Sequence, residues 1–122
     1  MGGYYGLMKT STITLKVDQA QDAVQRIRWQ ADESQQPGEH DAKGMILALW
    51  DHVARSSLRI DLWTHDMSID DMNDFVFQTL VSLADTYGKA TGNEAISAEM
   101  KHFARDFADR ASRVEQNRTQ PR

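Results

Sequence analysis

The chain has 122 residues, 40% of them hydrophobic and 26% charged, which suits one domain with its own core and leaves little room for two. Zero cysteines exclude disulfides, thiolate metal sites and cysteine nucleophiles. A net charge of −4 argues against bulk binding to nucleic acid or an anionic membrane, both of which need clustered cations.

Residues 1–8 are rich in Gly and Tyr, show no periodicity and read as a flexible extension, with Met8 a candidate start. This stretch has neither the basic nor the apolar region of a signal peptide, and no apolar run approaches the roughly 20 residues of a membrane span. A cytoplasmic protein is the expectation. The domain itself is expected over residues 9–114, and the polar run 115–122 reads as a frayed tail.

A first strand is expected from Ser11 to Val17, with Ile13, Leu15 and Val17 inward and Thr12, Thr14 and Lys16 outward. A polar connection, Asp18 to Ala23, leads to a second strand over Gln25 to Ala31. Here Ile27, Trp29 and Ala31 face in, and Arg26, Arg28 and Gln30 face out. Pro37-Gly38 marks a turn in the loop that follows.

Met45, Ile46, Leu49, Trp50 and Val53 recur at helical spacing, so a first helix is expected over His40 to Ala54. The third strand, Leu58 to Trp63, alternates Leu58, Ile60 and Leu62 with Arg59, Asp61 and Trp63. A second helix starts after Ser68, a good N-cap, with Asp70 and Asp71 in its first turn and Met67 and Met72 as a hydrophobic staple. Its stripe of Met72, Val76, Leu80, Leu83 and Tyr87 is widened by Phe75, Phe77 and Val81. Gly88 and Gly92 bracket its end. A third helix spans Ala95 to Val114, with pairs such as Asp106 and Arg110 on its wet face.

The pattern predicts an α+β domain: a three-stranded antiparallel sheet in the order 2-1-3, with three helices packed on one face, arranged β-β-α-β-α-α. A helical crossover would make strands two and three run the same way.

Thr14, Lys16, Arg26, Arg28, Arg59, Asp61 and Trp63 would then share the open sheet face. Threonines and charges suit a merely solvated face, but Trp and Arg dominate binding hot spots. Trp63 as anchor, with Arg59, Asp61, Arg28, Arg26 and Lys16 around it, is the candidate interaction site. The broad stripe of the second helix is another, for self-association.

Catalysis has no comparable support. His40, His52, His65 and His102 lie on different elements, without metal-ligand spacing. Asp61, Asp66, Asp70, Asp71 and Asp74 cluster near a helix start, where capping accounts for most of them. There is no G-x-S-x-G, phosphate loop or dinucleotide fingerprint. One aromatic on the face, with no stacking pair, does not make a nucleic-acid platform. No cofactor or metal is expected, and the chain reads as a non-enzymatic module. The alternative is a small-ligand binder with a pocket between the sheet and the second helix, lined by Trp29, Trp50 and Tyr87.

One resemblance sharpens this. The runs Ile46-Leu47-Ala48-Leu49-Trp50-Asp51, Ser57 to Met67, Asp70-Asp71-Met72, and Gln78-Thr79-Leu80 through Ala84-Asp85-Thr86 to Ala90-Thr91-Gly92 resemble the gliding motility GldC family. Met100-Lys101, Phe103-Ala104 and Phe107-Ala108 extend the likeness, which covers about Lys9 to Arg110. His65 stands where that family's T-K-D-M has Lys. The resemblance implies an accessory cytoplasmic protein of bacterial gliding machinery, tied to type IX secretion, with protein partners and no catalytic residues. The residues themselves add a homo-oligomer through the second helix as an option, and no direct membrane insertion is expected.

Overall fold

A computed structural model describes residues 7–119. Most of the expected N-terminal extension and the end of the expected tail lie outside the described residues. The chain divides into two compact units, one ending at Asp66 and the other beginning at Met67.

The first unit is all β. Strands β1 (Ile13–Ala20) and β2 (Ala23–Ala31) form a tight antiparallel hairpin, and the short β3 (His40–Ala42) pairs on the far side of β2, giving the order β1-β2-β3. Gln21 and Asp22 turn the chain with φ of 56° and 62°, the two positive values that a type I′ hairpin needs. Neither is glycine or asparagine, so the sequence does not announce this turn. Both strands therefore run further than their period-2 patterns suggest. Gly38, at φ 95°, sits in the bend between β2 and β3 where Pro37-Gly38 marks one.

Directly opposed residues share a sheet face, which sorts this sheet cleanly. Val17, Ile27 and Ala42 lie across one apolar face, as do Leu15, Trp29 and His40. Ile27 at its centre is only 1% exposed. Lys16, Arg28 and Asp41 lie across the other face, with Asp18 opposite Arg26.

At Lys43 the chain leaves this sheet. Strands β4 (Gly44–Asp51) and β5 (Ser56–Trp63) pair only with each other, as a separate two-stranded sheet. Its root is fastened by two backbone bonds: Thr64 donates to Lys43 O at 2.8 Å, and His65 donates to Val24 O at 2.9 Å. Thr64 is buried there, and its hydroxyl donates to Asp66 at 2.8 Å. The tip is shaped by Asp51, whose carboxylate accepts from the Val53 and Ala54 amides at 3.0 and 3.2 Å, and by Arg55 at φ 57°.

The expected helix over His40 to Ala54 is therefore two strands and a turn, and one three-stranded sheet in the order 2-1-3 with three helices is replaced by two sheets and two helices. Met, Leu and Ala are good helix formers, and their apolar positions fit a helical stripe. The pairing partner decides against it. Met45, Leu47 and Leu49 lie opposite Leu62, Ile60 and Leu58, three aliphatic cross-strand pairs that exist only if residues 44–51 are extended. With no helical crossover, the last strand is reached through a hairpin and is antiparallel to β4.

The second unit is a helical hairpin. Helix α1 (Ile69–Thr91) starts as its sequence predicts: Ser68 accepts from the Asp71 amide at 3.0 Å, with Asp70 and Asp71 in the first turn. Gly92 ends it in the left-handed conformation, at φ 74°. Helix α2 (Glu94–Thr119) starts on Asn93, whose side chain accepts from the Ile96 amide at 3.1 Å, and continues past Val114.

The two helices meet through small residues. Ala84, Gly88, Ser97 and Ala104 are buried, and the Ser97 hydroxyl donates to Ala84 O at 2.8 Å. A Cβ on Gly88 would stand 3.0 Å from both Cβ and Oγ of Ser97, so a larger residue would have to push the Ser97 side chain back by a few tenths of an ångström. Lys101 closes the contact at the rim, 2.6 Å from Asp85, and that hydrogen bond holds the Asp85 carboxyl below its ordinary value. The expected Asp106–Arg110 pair forms at 3.3 Å.

Candidate functional site

The six residues of the candidate site fall on two surfaces of the first unit. Lys16, Arg26 and Arg28 lie on the polar face of β1-β2-β3, as their alternation predicts. Arg59, Asp61 and Trp63 lie on one face of the β4–β5 hairpin, so the single open sheet face expected to carry all of them does not exist.

The polar face of the first sheet is internally neutralised. Lys16 pairs with Glu39 at 3.2 Å and Arg26 with Asp41 at 2.6 Å. Arg28 bridges Asp18 at 3.0 Å and Glu39 at 3.5 Å. The Lys16 hydrogen bond holds the Glu39 carboxyl below its ordinary range, and the Arg26 hydrogen bond does the same for Asp41. Three cations meet three anions here, so this face offers a partner little unspent charge. Its residues tie three strands together.

The hairpin presents a different surface. Trp63, Asp61, Arg59 and Ser57 on β5 lie opposite Gly44, Ile46, Ala48 and Trp50 on β4, all on one face. Trp50 and Trp63 are 58% and 57% exposed, and they stand at opposite ends of that face. Between them Arg59 and Asp61 pair with each other at 2.8 Å. Arg55 lies over the Trp50 ring, 5.4 Å from its centroid. Two exposed indoles thus flank a small, charge-balanced floor.

The reverse face of the hairpin is wholly aliphatic along its three cross-strand pairs. Coverage falls toward the tip: Met45 and Leu62 are partly covered, while Leu49 and Leu58 are 58% and 60% exposed. An isolated two-stranded hairpin is marginal in water, and apolar side chains left open on both faces are unusual on a surface without a partner.

Beside the root, Gln19, Asp22, Val24, Asp61, Trp63 and His65 line an open groove of about 390 Å³. Asp66 is held below its ordinary carboxylate value by the Thr64 hydroxyl, with Lys43 adding attraction at 3.5 Å. That carboxylate serves the fastening of the hairpin. His40 stacks on Trp29 with centroids 4.9 Å apart, and its Nε2 lies 2.9 Å from Gln36 O. Among the described residues, no three His, Asp or Glu side chains converge as metal ligands.

Trp50 is the residue that sequence reasoning misplaces. Read as helical, it belongs to a buried stripe and to a ligand pocket with Trp29 and Tyr87. As a strand residue opposite Ser57, it joins Trp63 instead, on a different sheet from Trp29. The available signal is Gly44 inside an otherwise helical run, a poor helix residue, followed by a period-2 match between 45–49 and 58–62.

Among the described residues, no helix is long and apolar enough to cross a membrane. Residues 24–113 match the profile of a family described as gliding motility-associated protein GldC-like. No curated protein and no solved structure matches the chain.

Proposed function

Since the chain belongs to the GldC-like family of gliding motility-associated proteins, we propose that it is a non-enzymatic adaptor that grips a protein of the motility machinery with its β4–β5 hairpin. The observation that carries this reading is the pair of exposed tryptophans on one hairpin face, with Arg59 and Asp61 between them. Indole and guanidinium groups supply most of the energy at protein interfaces, and a strand face presents them at fixed spacing. Lys16, Arg26 and Arg28 tie together the three-stranded sheet from which the hairpin departs.

The act is recognition, with no bond made or broken. The site the reading uses has neither a nucleophile beside a base nor convergent carboxylates. A cytoplasmic location fits an adaptor of this kind.

The test is affinity purification of the full chain from its native cell, beside the variant Trp63→Ala/Arg59→Ala. The variant is expected to fold, since both side chains are about half exposed. It should lose the motility proteins that the unaltered chain retains. Equal recovery of the same proteins by a folded variant would show that this face is only wet.

A further inference from the structure

The helical unit seals only small residues. Ala84, Gly88, Ser97 and Ala104 are buried, while every large apolar side chain of α1 and α2 stays at least partly open. On α2, Ile96, Met100, Phe103, Phe107 and Val114 recur at helical spacing as one stripe. Phe103 is 58% exposed and lines two grooves, one toward each end of the helix. The first, of about 280 Å³, is shared with Leu80, Ile96, Glu99 and Met100. The second, of about 330 Å³, is shared with Asp106, Phe107, Arg110, Ala111 and Val114. Leu80 carries the stripe onto α1, where Val76, Leu83 and Tyr87 lie on its side by spacing. A continuous apolar face of this kind marks a contact surface.

We infer that the occupant is the same face of a second copy, in a two-fold, antiparallel seam of α2 on α2 with its axis level with Arg105. The stripe is self-matching about that point: Ile96 and Val114 are equidistant from it, and so are Phe103 and Phe107. Ile96 therefore meets Val114 of the second copy, and Phe103 meets its Phe107. Each contact recurs with the copies exchanged, as a two-fold interface requires. Phe103 then enters the larger groove of the second copy, a ridge into a groove.

The rim matches as well. Glu99 has no ion pair among the described residues, and it falls opposite Arg110 of the second copy. Arg110 approaches its own Asp106 through Nε, at 3.3 Å, and its guanidinium keeps further N–H groups for a second carboxylate. The same axis serves α1. The Ser97–Ala84 and Lys101–Asp85 contacts bring residues 76–81 level with Arg105, so Leu80 lies near the axis. Val76 then falls toward Leu83 of the second copy. The product is a four-helix bundle that covers the stripes of both helices from both copies.

The aliphatic face of the β4–β5 hairpin is the other open apolar surface, and it carries no charge to specify what covers it. The α2 seam uses no hairpin residue, so it goes beyond the adaptor reading and stands or falls separately. A dimer would present two hairpins, which strengthens the hold on a protein with two matching sites.

Sedimentation of the full chain tests the seam, with circular dichroism to confirm folding. The unaltered chain should have twice the monomer mass. Phe103→Asp sets carboxylates into the apolar centre and should be a monomer. Its helical signal should persist, since a single copy leaves that side chain more than half exposed. A dimeric Phe103→Asp would overturn the seam. So would a monomeric native chain, whether its stripe is open or covered by its own first unit.

A second measurement fixes the register, and decides alone if Phe103→Asp unfolds. The chain has no native cysteine. Within one chain positions 99 and 110 are about 16.5 Å apart along the helix, beyond the disulfide range of about 4.4–6.8 Å between Cα atoms. Across the seam they face each other. Glu99→Cys/Arg110→Cys should therefore give a covalent dimer on mild oxidation. Neither single variant should, because each position is about 15–18 Å from its own copy along the seam. No covalent dimer from the double variant, or equal linking by a single one, would overturn the seam. If the seam fails while partner capture still depends on Trp63, the adaptor reading survives alone.

Discussion

The three-stranded sheet and the β4–β5 hairpin are built from one continuous run of chain, yet they spend their side chains in opposite ways. In the sheet, polar residues are consumed internally: every cation of Lys16, Arg26 and Arg28 has a carboxylate partner, and Ile27 is sealed on the other face. In the hairpin, apolar residues stay open on both faces, and two backbone bonds fasten the root. The sheet stabilises itself, whereas in the adaptor reading proposed above the hairpin is completed by a partner. Apolar surface left in water costs about 25 cal/mol per Å² relative to burial, a standing driving force toward association.

The largest expected effect breaks this comparison at the core. Ile27→Ala empties a fully buried site and should cost about 2–5 kcal/mol, read as a large fall in denaturation midpoint. Leu58→Ala removes a similar side chain from a position 60% exposed, and should cost under about 1 kcal/mol in the same experiment. Equal losses at the two positions would mean that the hairpin is as well packed as the sheet.

A smaller effect sharpens the comparison through pH. Glu39 and Asp41 ionise below their ordinary values of 4.5 and 3.8 because Lys16 and Arg26 favour the charged forms. Their contribution to stability is therefore full above those values and is lost as pH falls through the lowered folded ones. Both groups are exposed, so the effect is modest and salt weakens it. Thermal melts from about pH 6 to about pH 3 should show declining stability, and Glu39→Gln/Asp41→Asn should flatten part of that decline. An unchanged slope in the double variant would remove the ion pairs of Glu39 and Asp41 from the account.

These contrasts also explain what the sequence makes legible. Local signals carry helix α1, because Ser68, Asp70, Asp71 and Gly92 each act within a few residues of their own position. Alternation alone places Arg59 and Asp61 beside Trp63 on a face away from Leu58 and Ile60, and Lys16 with Arg26 and Arg28. Residues 40–54 fail because their conformation is decided by partner strands outside the segment, β2 and β5, while their composition favours a helix. Trp50 follows that error, since a tryptophan's face depends on whether its segment has period 3.6 or 2. The Gln21-Asp22 turn stays hidden for a related reason: its positive φ values are imposed by the strands it joins and are foreign to those residue types.

Oxidative footprinting of the indoles tests the hairpin account most directly, on the free chain and on the chain bound to the partner that the adaptor reading proposes. In the free chain Trp50 and Trp63 should react readily and Trp29 more slowly, since Trp29 is partly covered beside His40. In the complex Trp50 and Trp63 should both be protected while Trp29 stays as it was. Two hairpin indoles as reactive in the complex as in the free chain would contradict the account.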